Sequence, residues 1–151
     1  MLGKTPKGLV HGDFFFENVL SSHGMLAGVI DFGDVYYGSL VMDIAIGSME
    51  FAMKEGEVWD FDLHEQFLAA NKGWLVAHNI SFDLFHDVLL ANCARFIAHL
   101  CHLRQDELEK NNCPEGEIDL ADIPYVARFY MFQQADIKTE LHHHYRKVVG
   151  R

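Results

Sequence analysis

Cations are scarce in this chain. Over 151 residues it carries 12 Lys and Arg against 22 Asp and Glu, a net charge of −10. Nucleic-acid binding needs clustered Lys and Arg to neutralise phosphates, so nucleic acid is not an expected partner. An acidic surface favours a cationic small molecule instead. Cysteine is also sparse, and Cys93, Cys101 and Cys113 form no C-x-x-C pair. Cys93 and Cys101 fall in an apolar helical pattern and read as reduced core residues. Met1–Gly8 holds two lysines but no apolar run, so no signal peptide is expected. No stretch approaches about 18 consecutive apolar residues, so no membrane partner is expected either. The expected location is cytoplasmic. No internal repeat, low-complexity tract or linker breaks the chain. Half of it is hydrophobic, enough for the core of one domain.

The informative stretch is residues 9–34, LVHGDFFFENVLSSHGMLAGVIDFGD. It holds two acidic clusters, His11-Gly12-Asp13 and Asp31-Phe32-Gly33-Asp34, with Asn18 just after the first. Residues 18–20 and 25–30 read as short strands. Between them, Ser21-Ser22-His23-Gly24 reads as a hairpin turn, with Gly24 free to take a positive φ. That hairpin would bring Asn18 and Asp31 to one end of the strand pair, with Asp13 one loop away. Two carboxylates and an amide make a poor core but a good Mg²⁺ site, because Mg²⁺ prefers a few hard oxygens and keeps room for phosphate.

The spacing His-x-Asp-x4-Asn, then a short hairpin, then Asp-Phe-Gly, fits the kinase catalytic template. HGDFFFEN resembles the aminoglycoside phosphotransferase and choline kinase superfamily, in which Arg need not follow His. Within that superfamily, GVIDFGDVYYGSLVMDIAI at 28–46 looks most like hydroxylysine kinase, with homoserine kinase a close second. The resemblance covers the first third of the chain well and the remainder loosely. It implies an α+β, mostly α-helical, protein-kinase-like fold in which a short β-hairpin carries the catalytic and metal residues. It also implies transfer of a phosphoryl group from ATP or GTP to the hydroxyl of a small molecule. Asp13 would orient that hydroxyl, His11 would brace the loop, and Asn18 and Asp31 would hold Mg²⁺ against the nucleotide. Asp43 would accept hydrogen bonds from the catalytic-loop backbone, and Gly33 would support the metal loop. Asp34 and Tyr37 follow the metal acid directly and are expected substrate contacts. The competing view of the acids is that they are turn-formers at strand ends, where Asp and Asn are common.

Downstream, Tyr36-Tyr37-Gly38 reads as a turn. A helix is expected from Ser39 or Leu40 to about Glu55, closed by Gly56. A second is capped by Asp60 or Asp62 and runs to about Val76. A third and central helix begins after Ser81 and runs to about Leu108. On it, Arg95 and His99 lie one turn apart. They either snorkel to water and pair with nearby acids, or face a substrate. Residues 111–124 read as a surface loop, and one last helix spans Tyr125 to about Val148. His142, His143 and His144 point in different directions on it and form no metal site. Of Phe14, Phe15 and Phe16, at least two are expected beneath the catalytic loop; the other view places one against substrate or nucleotide.

Kinases of this kind also need a glycine-rich loop, a strand lysine and a helix glutamate to clamp the triphosphate. No G-x-G-x-x-G run occurs here, and ten residues precede His11. Residues 1–151 are therefore expected to form a single partial domain, the C-terminal lobe. Its partners would be a separate nucleotide-binding lobe or a homologous chain. Three function classes follow: a small-molecule kinase completed by other polypeptide, a non-catalytic remnant acting as a binding module, and, more weakly, a metal-dependent hydrolase.

Overall fold

The computed structural model describes residues 5–54, 58–111 and 118–150. Lys4, Glu55, Gly56 and Cys113 lie outside them. Among the described residues, three two-stranded antiparallel ribbons precede or interrupt five α-helices. β1 (Lys7–Val10) pairs with β4 (Tyr36–Ser39) in the register Leu9↔Tyr37 and Val10↔Tyr36. The expected turn at Tyr36-Tyr37-Gly38 is thus a strand. An isolated β1 has no ladder for its backbone groups, and the β-favouring Tyr36-Tyr37 run supplies one. Between these strands sit β2 (Val19–Ser22) and β3 (Met25–Val29), joined by His23-Gly24. Both turn residues have positive φ (53° and 72°), as a tight two-residue hairpin turn requires.

α1 (Val41–Phe51) ends a turn earlier than the sequence suggested. The chain instead forms a small ribbon, β5 (Met53–Lys54) with β6 (Val58–Trp59), which buries Trp59. Asp60 caps α2 (Phe61–Ala77) by accepting from the backbone N–H groups of Asp62 and Leu63, both at 2.9 Å. Ser81 caps α3 (Phe82–Lys110) through the Leu84 N–H.

α3 is the central helix. Phe85, Val88, Leu89, Cys93 and Phe96 enter the core with Ile46, Met49, Leu68, Phe132 and Tyr145. By length and average composition α3 is apolar enough to cross a membrane, although no long uninterrupted apolar run marks it. Of its most apolar window, 39% is buried in this core.

The last helix is broken. α4 (Pro124–Gln133) and α5 (Ala135–Val149) meet at Gln134, whose ψ of 135° leaves the helical region. The break lets α4 lie on α3 while α5 turns onto α2, which one straight helix cannot do. His142 and His144 stack on Phe82 and Phe61, and His144 also pairs with Glu65 at 2.8 Å.

Candidate active site

β1 and β2 leave for different partners, so residues 11–18 between them have no strand ladder. Side chains hold this loop instead. His11 N–H donates to Asp43 Oδ2 at 2.7 Å, and Gly12 N–H donates to Asp43 Oδ1 at 3.0 Å. Asp43 lies in the first turn of α1, so both bonds tie the loop to that helix. The buried His11 ring accepts from Asp13 N–H at Nδ1 (3.3 Å). Its proton therefore sits on Nε2, which donates to Ile30 O at 2.9 Å. His11 thus links the 11–18 loop to the residue before Asp31.

Asn18 is buried at the entry to β2. Its Nδ2 donates to Asp13 O (2.8 Å) and to Asp13 Oδ2 (3.0 Å). Its backbone carbonyl accepts from Ile30 N–H at 2.9 Å, which places Asp31 beside it at the end of the hairpin. Asp31 is held at φ 62°, ψ 66°, a left-handed conformation costly for a residue with a Cβ and typical of functional loops. Burial raises the Asp13 pKa above the ordinary carboxylate value. The Asn18 hydrogen bond opposes this, as does the Arg95 charge, while Asp34 and Asp31 add to it.

Those three carboxylates set up a local negative potential. The Asn18 Nδ2 is committed to Asp13, and its Oδ1 accepts nothing among the described residues. One amide oxygen and one exposed carboxylate match the hard, incomplete donor set that Mg²⁺ takes. Among the described residues, no group of three or more His, Cys, Asp or Glu could hold a metal.

Gly33 follows Asp31 closely, and Asp34 and Tyr37 are exposed beyond it. Arg95, half-buried, reaches from α3 and donates through Nη2 to the Gly12 carbonyl, a partner that neither sequence reading named. A partner 83 residues away leaves no trace in local spacing. Phe14 and Phe15 pack against the core, whereas Phe16 is exposed. Phe15 packs at a tilt against Phe96 and stacks on Tyr125, with ring centroids 4.9 and 6.5 Å away. Below them, Glu50 accepts from Arg128 (2.6 Å) and Tyr125 (3.0 Å), a network not foreseen from sequence. On the other side of His11, an apolar cleft of about 430 Å³ is lined by Leu9, Phe14, Phe32, Val35, Ile44 and Phe67, among others.

Residues 2–77, half of the chain, match the phosphotransferase enzyme family. The chain belongs to that family. The matched span contains residues 11–18 and 31–34 and Asp43. This phosphotransferase-family chain is also 30% identical over 91 residues to a homoserine kinase of Neisseria meningitidis serogroup B. The match covers 60% of this chain and 30% of that relative's length. No solved structure gives a significant match.

Proposed function

We propose that this chain forms the catalytic part of a small-molecule O-phosphotransferase. It would move the γ-phosphate of ATP or GTP to a substrate hydroxyl in the cytoplasm. The observation that carries this reading is the meeting of Asp13, Asn18 and Asp31 at one end of the β2–β3 hairpin, within a span that matches the phosphotransferase family. Asp13 orients the hydroxyl and takes its proton late; its raised proton affinity suits that task. Asn18, through Oδ1, and Asp31 would hold Mg²⁺, which when bound neutralises charge on the donor phosphates. His11 keeps both loops in one frame. Asp34 and Tyr37 meet the substrate, and the Asp34 carboxylate receives the ammonium of an amino acid or amino alcohol. Homoserine fits that class, as does hydroxylysine. The clamp on the triphosphate comes from a nucleotide-binding lobe, in the same longer protein or in a homologous chain.

The test is phosphoryl transfer, followed by ³¹P NMR with ATP and GTP against homoserine, hydroxylysine, choline and an aminoglycoside. The 151-residue chain alone should show no appreciable turnover. Fused to, or mixed with, the N-terminal portion of a family relative, it should turn over. Asp13→Ala and Asp31→Ala should then each lose about 10²-fold or more. Robust turnover by the chain alone, or turnover indifferent to both variants, would remove this assignment. Failure of every completed protein on all four acceptors would favour the non-catalytic binding module.

A further inference from the structure

Gly12 directly precedes Asp13 and has a left-handed backbone, φ +81°. A Cβ there would lie 2.7 Å from the Asp34 carbonyl oxygen, so only glycine fits without displacing the metal loop. Both backbone polar groups of Gly12 are taken by charged side chains from different helices. Its N–H donates to Asp43 of α1, and its carbonyl accepts from Arg95 of α3. That carbonyl shares one planar peptide unit with the Asp13 N–H, which is itself bonded to His11. Holding the oxygen therefore fixes the tilt of the plane from which the Asp13 side chain departs.

The next residue on α3 works on the other side of Asp13. Phe96 packs at a tilt of 44° against Phe15, two positions past the acid, and the Arg95 guanidinium lies 4.1 Å over the Phe96 ring. Arg95 and Phe96 thus flank Asp13 on both sides. Arg95 Nε is buried with no hydrogen-bond partner among the described residues. An arginine placed for stability alone would satisfy that donor. Its placement favours the Gly12 contact over its own full pairing.

We infer that Arg95 is a positioning residue: by gripping the Gly12 carbonyl opposite Asp43, it sets the orientation of Asp13 and couples α3 to the catalytic loop. The consequence for turnover rests on the phosphoryl-transfer reading; the clamp itself does not.

The experiment compares the wild-type chain with Arg95→Gln, Arg95→Ala and Arg95→Lys by ¹⁵N–¹H NMR. In the Gln and Ala variants the Gly12 and Asp13 amide resonances should move, and their solvent exchange should speed up about tenfold or more. Amides of β2, β3 and α2 should stay in place. Methylguanidinium added to Arg95→Ala should restore the wild-type positions, and Arg95→Lys should fall between. In the protein completed with a nucleotide-binding lobe, kcat should drop on the order of tenfold to a hundredfold, with the nucleotide KM within about twofold. Unmoved Gly12 and Asp13 amides in a folded Gln variant would overturn the inference, as would a loss confined to KM. If neither the Gln nor the Ala variant folds, Arg95→Lys decides, since a shift confined to Gly12, Asp13 and Phe15 supports the clamp and no shift overturns it. Shifted amides together with no turnover in any completed protein would leave the clamp standing and remove the phosphoryl-transfer reading instead.

Discussion

Replacing Asp43 by alanine removes the acceptor of two backbone N–H groups, His11 at 2.7 Å and Gly12 at 3.0 Å. Both residues are buried, so neither donor regains full hydration. An unsatisfied buried donor costs about 1–3 kcal/mol. Asp43 also lines the open cleft of about 430 Å³ beside His11, and water entering there recovers part of the loss. The low end of the range per donor therefore applies, giving about 2 kcal/mol in total. For a domain of this size that corresponds to a fall in Tm of about 4–8 °C. Asp43→Asn retains one acceptor and should lose about half as much. Asp13→Ala is the control. Its carboxylate accepts a side-chain bond from Asn18 and sits among the negative charges of Asp31 and Asp34, so its removal should cost less than about 1 kcal/mol. Urea unfolding followed by far-ultraviolet circular dichroism, at constant m-value, gives the ranking. Asp13→Ala proving as costly as Asp43→Ala would refute the idea that Asp43 carries the loop.

Two further outcomes follow from the same geometry. Mn²⁺ should broaden the NMR signals of residues around Asn18 and Asp31 weakly, since phosphates normally complete the shell, and much less in Asp31→Ala; equal broadening in both proteins would remove the metal assignment. His64, buried against Trp59 and bonded to Ser48 at 2.7 Å, has its pKa pushed down to about 3 by burial. The unfolded chain then binds one more proton than the folded one between the ordinary His value near 6.5 and about 3. Stability is present above that window and falls by about 1.4 kcal/mol per pH unit as pH drops through it. His64→Gln should flatten that slope, and an unchanged acid profile would show that His64 is not its source.

Local signals carried much of this fold. Asp60 and Ser81 are short polar residues ahead of apolar periodicity, and each caps its helix through backbone N–H groups. Ser-His-Gly at 22–24 contains the two left-handed residues of the hairpin. Long-range pairing left no such mark. β4 was misread as a turn at Tyr36-Tyr37-Gly38, because its pairing with β1 joins segments on either side of the whole β2–β3 hairpin. The break at Gln134 was hidden for a different reason. Neither proline nor glycine stands there, and only the need to reach α3 and α2 with successive segments explains it. In the site, spacing along the chain placed the hairpin acids near one another. It could not show Arg95 turned onto a backbone carbonyl or Glu50 buried beneath Phe15 with Arg128, because those contacts join residues about 80 positions apart.

The density of side-chain bonds on residues 11–18 has one physical origin. β1 pairs with β4 while β2 pairs with β3, so the connecting loop runs between two ladders and belongs to neither. Buried backbone groups need partners, and here the candidate site's own side chains supply them. Asp43 takes the N–H groups of His11 and Gly12, His11 takes that of Asp13, and Arg95 and Asn18 cover the carbonyls of Gly12 and Asp13. The Asp13 carbonyl also accepts from Phe15 N–H at 2.8 Å, which closes the loop on itself. A polar residue in this segment therefore has two tasks at once, holding the chain and presenting an oxygen. That doubling ties the residue spacing to the loop's shape. Moving Asn18 by one position would uncover the Asp13 carbonyl as well as misplace the amide oxygen offered to a cation. Variants at 11, 18 and 43 should accordingly lose loop order together with any activity. Asp31 is different: its carboxylate is exposed and, among the described residues, no hydrogen bond to the loop depends on it, so Asp31→Ala should remove activity in the completed protein while leaving the loop in order.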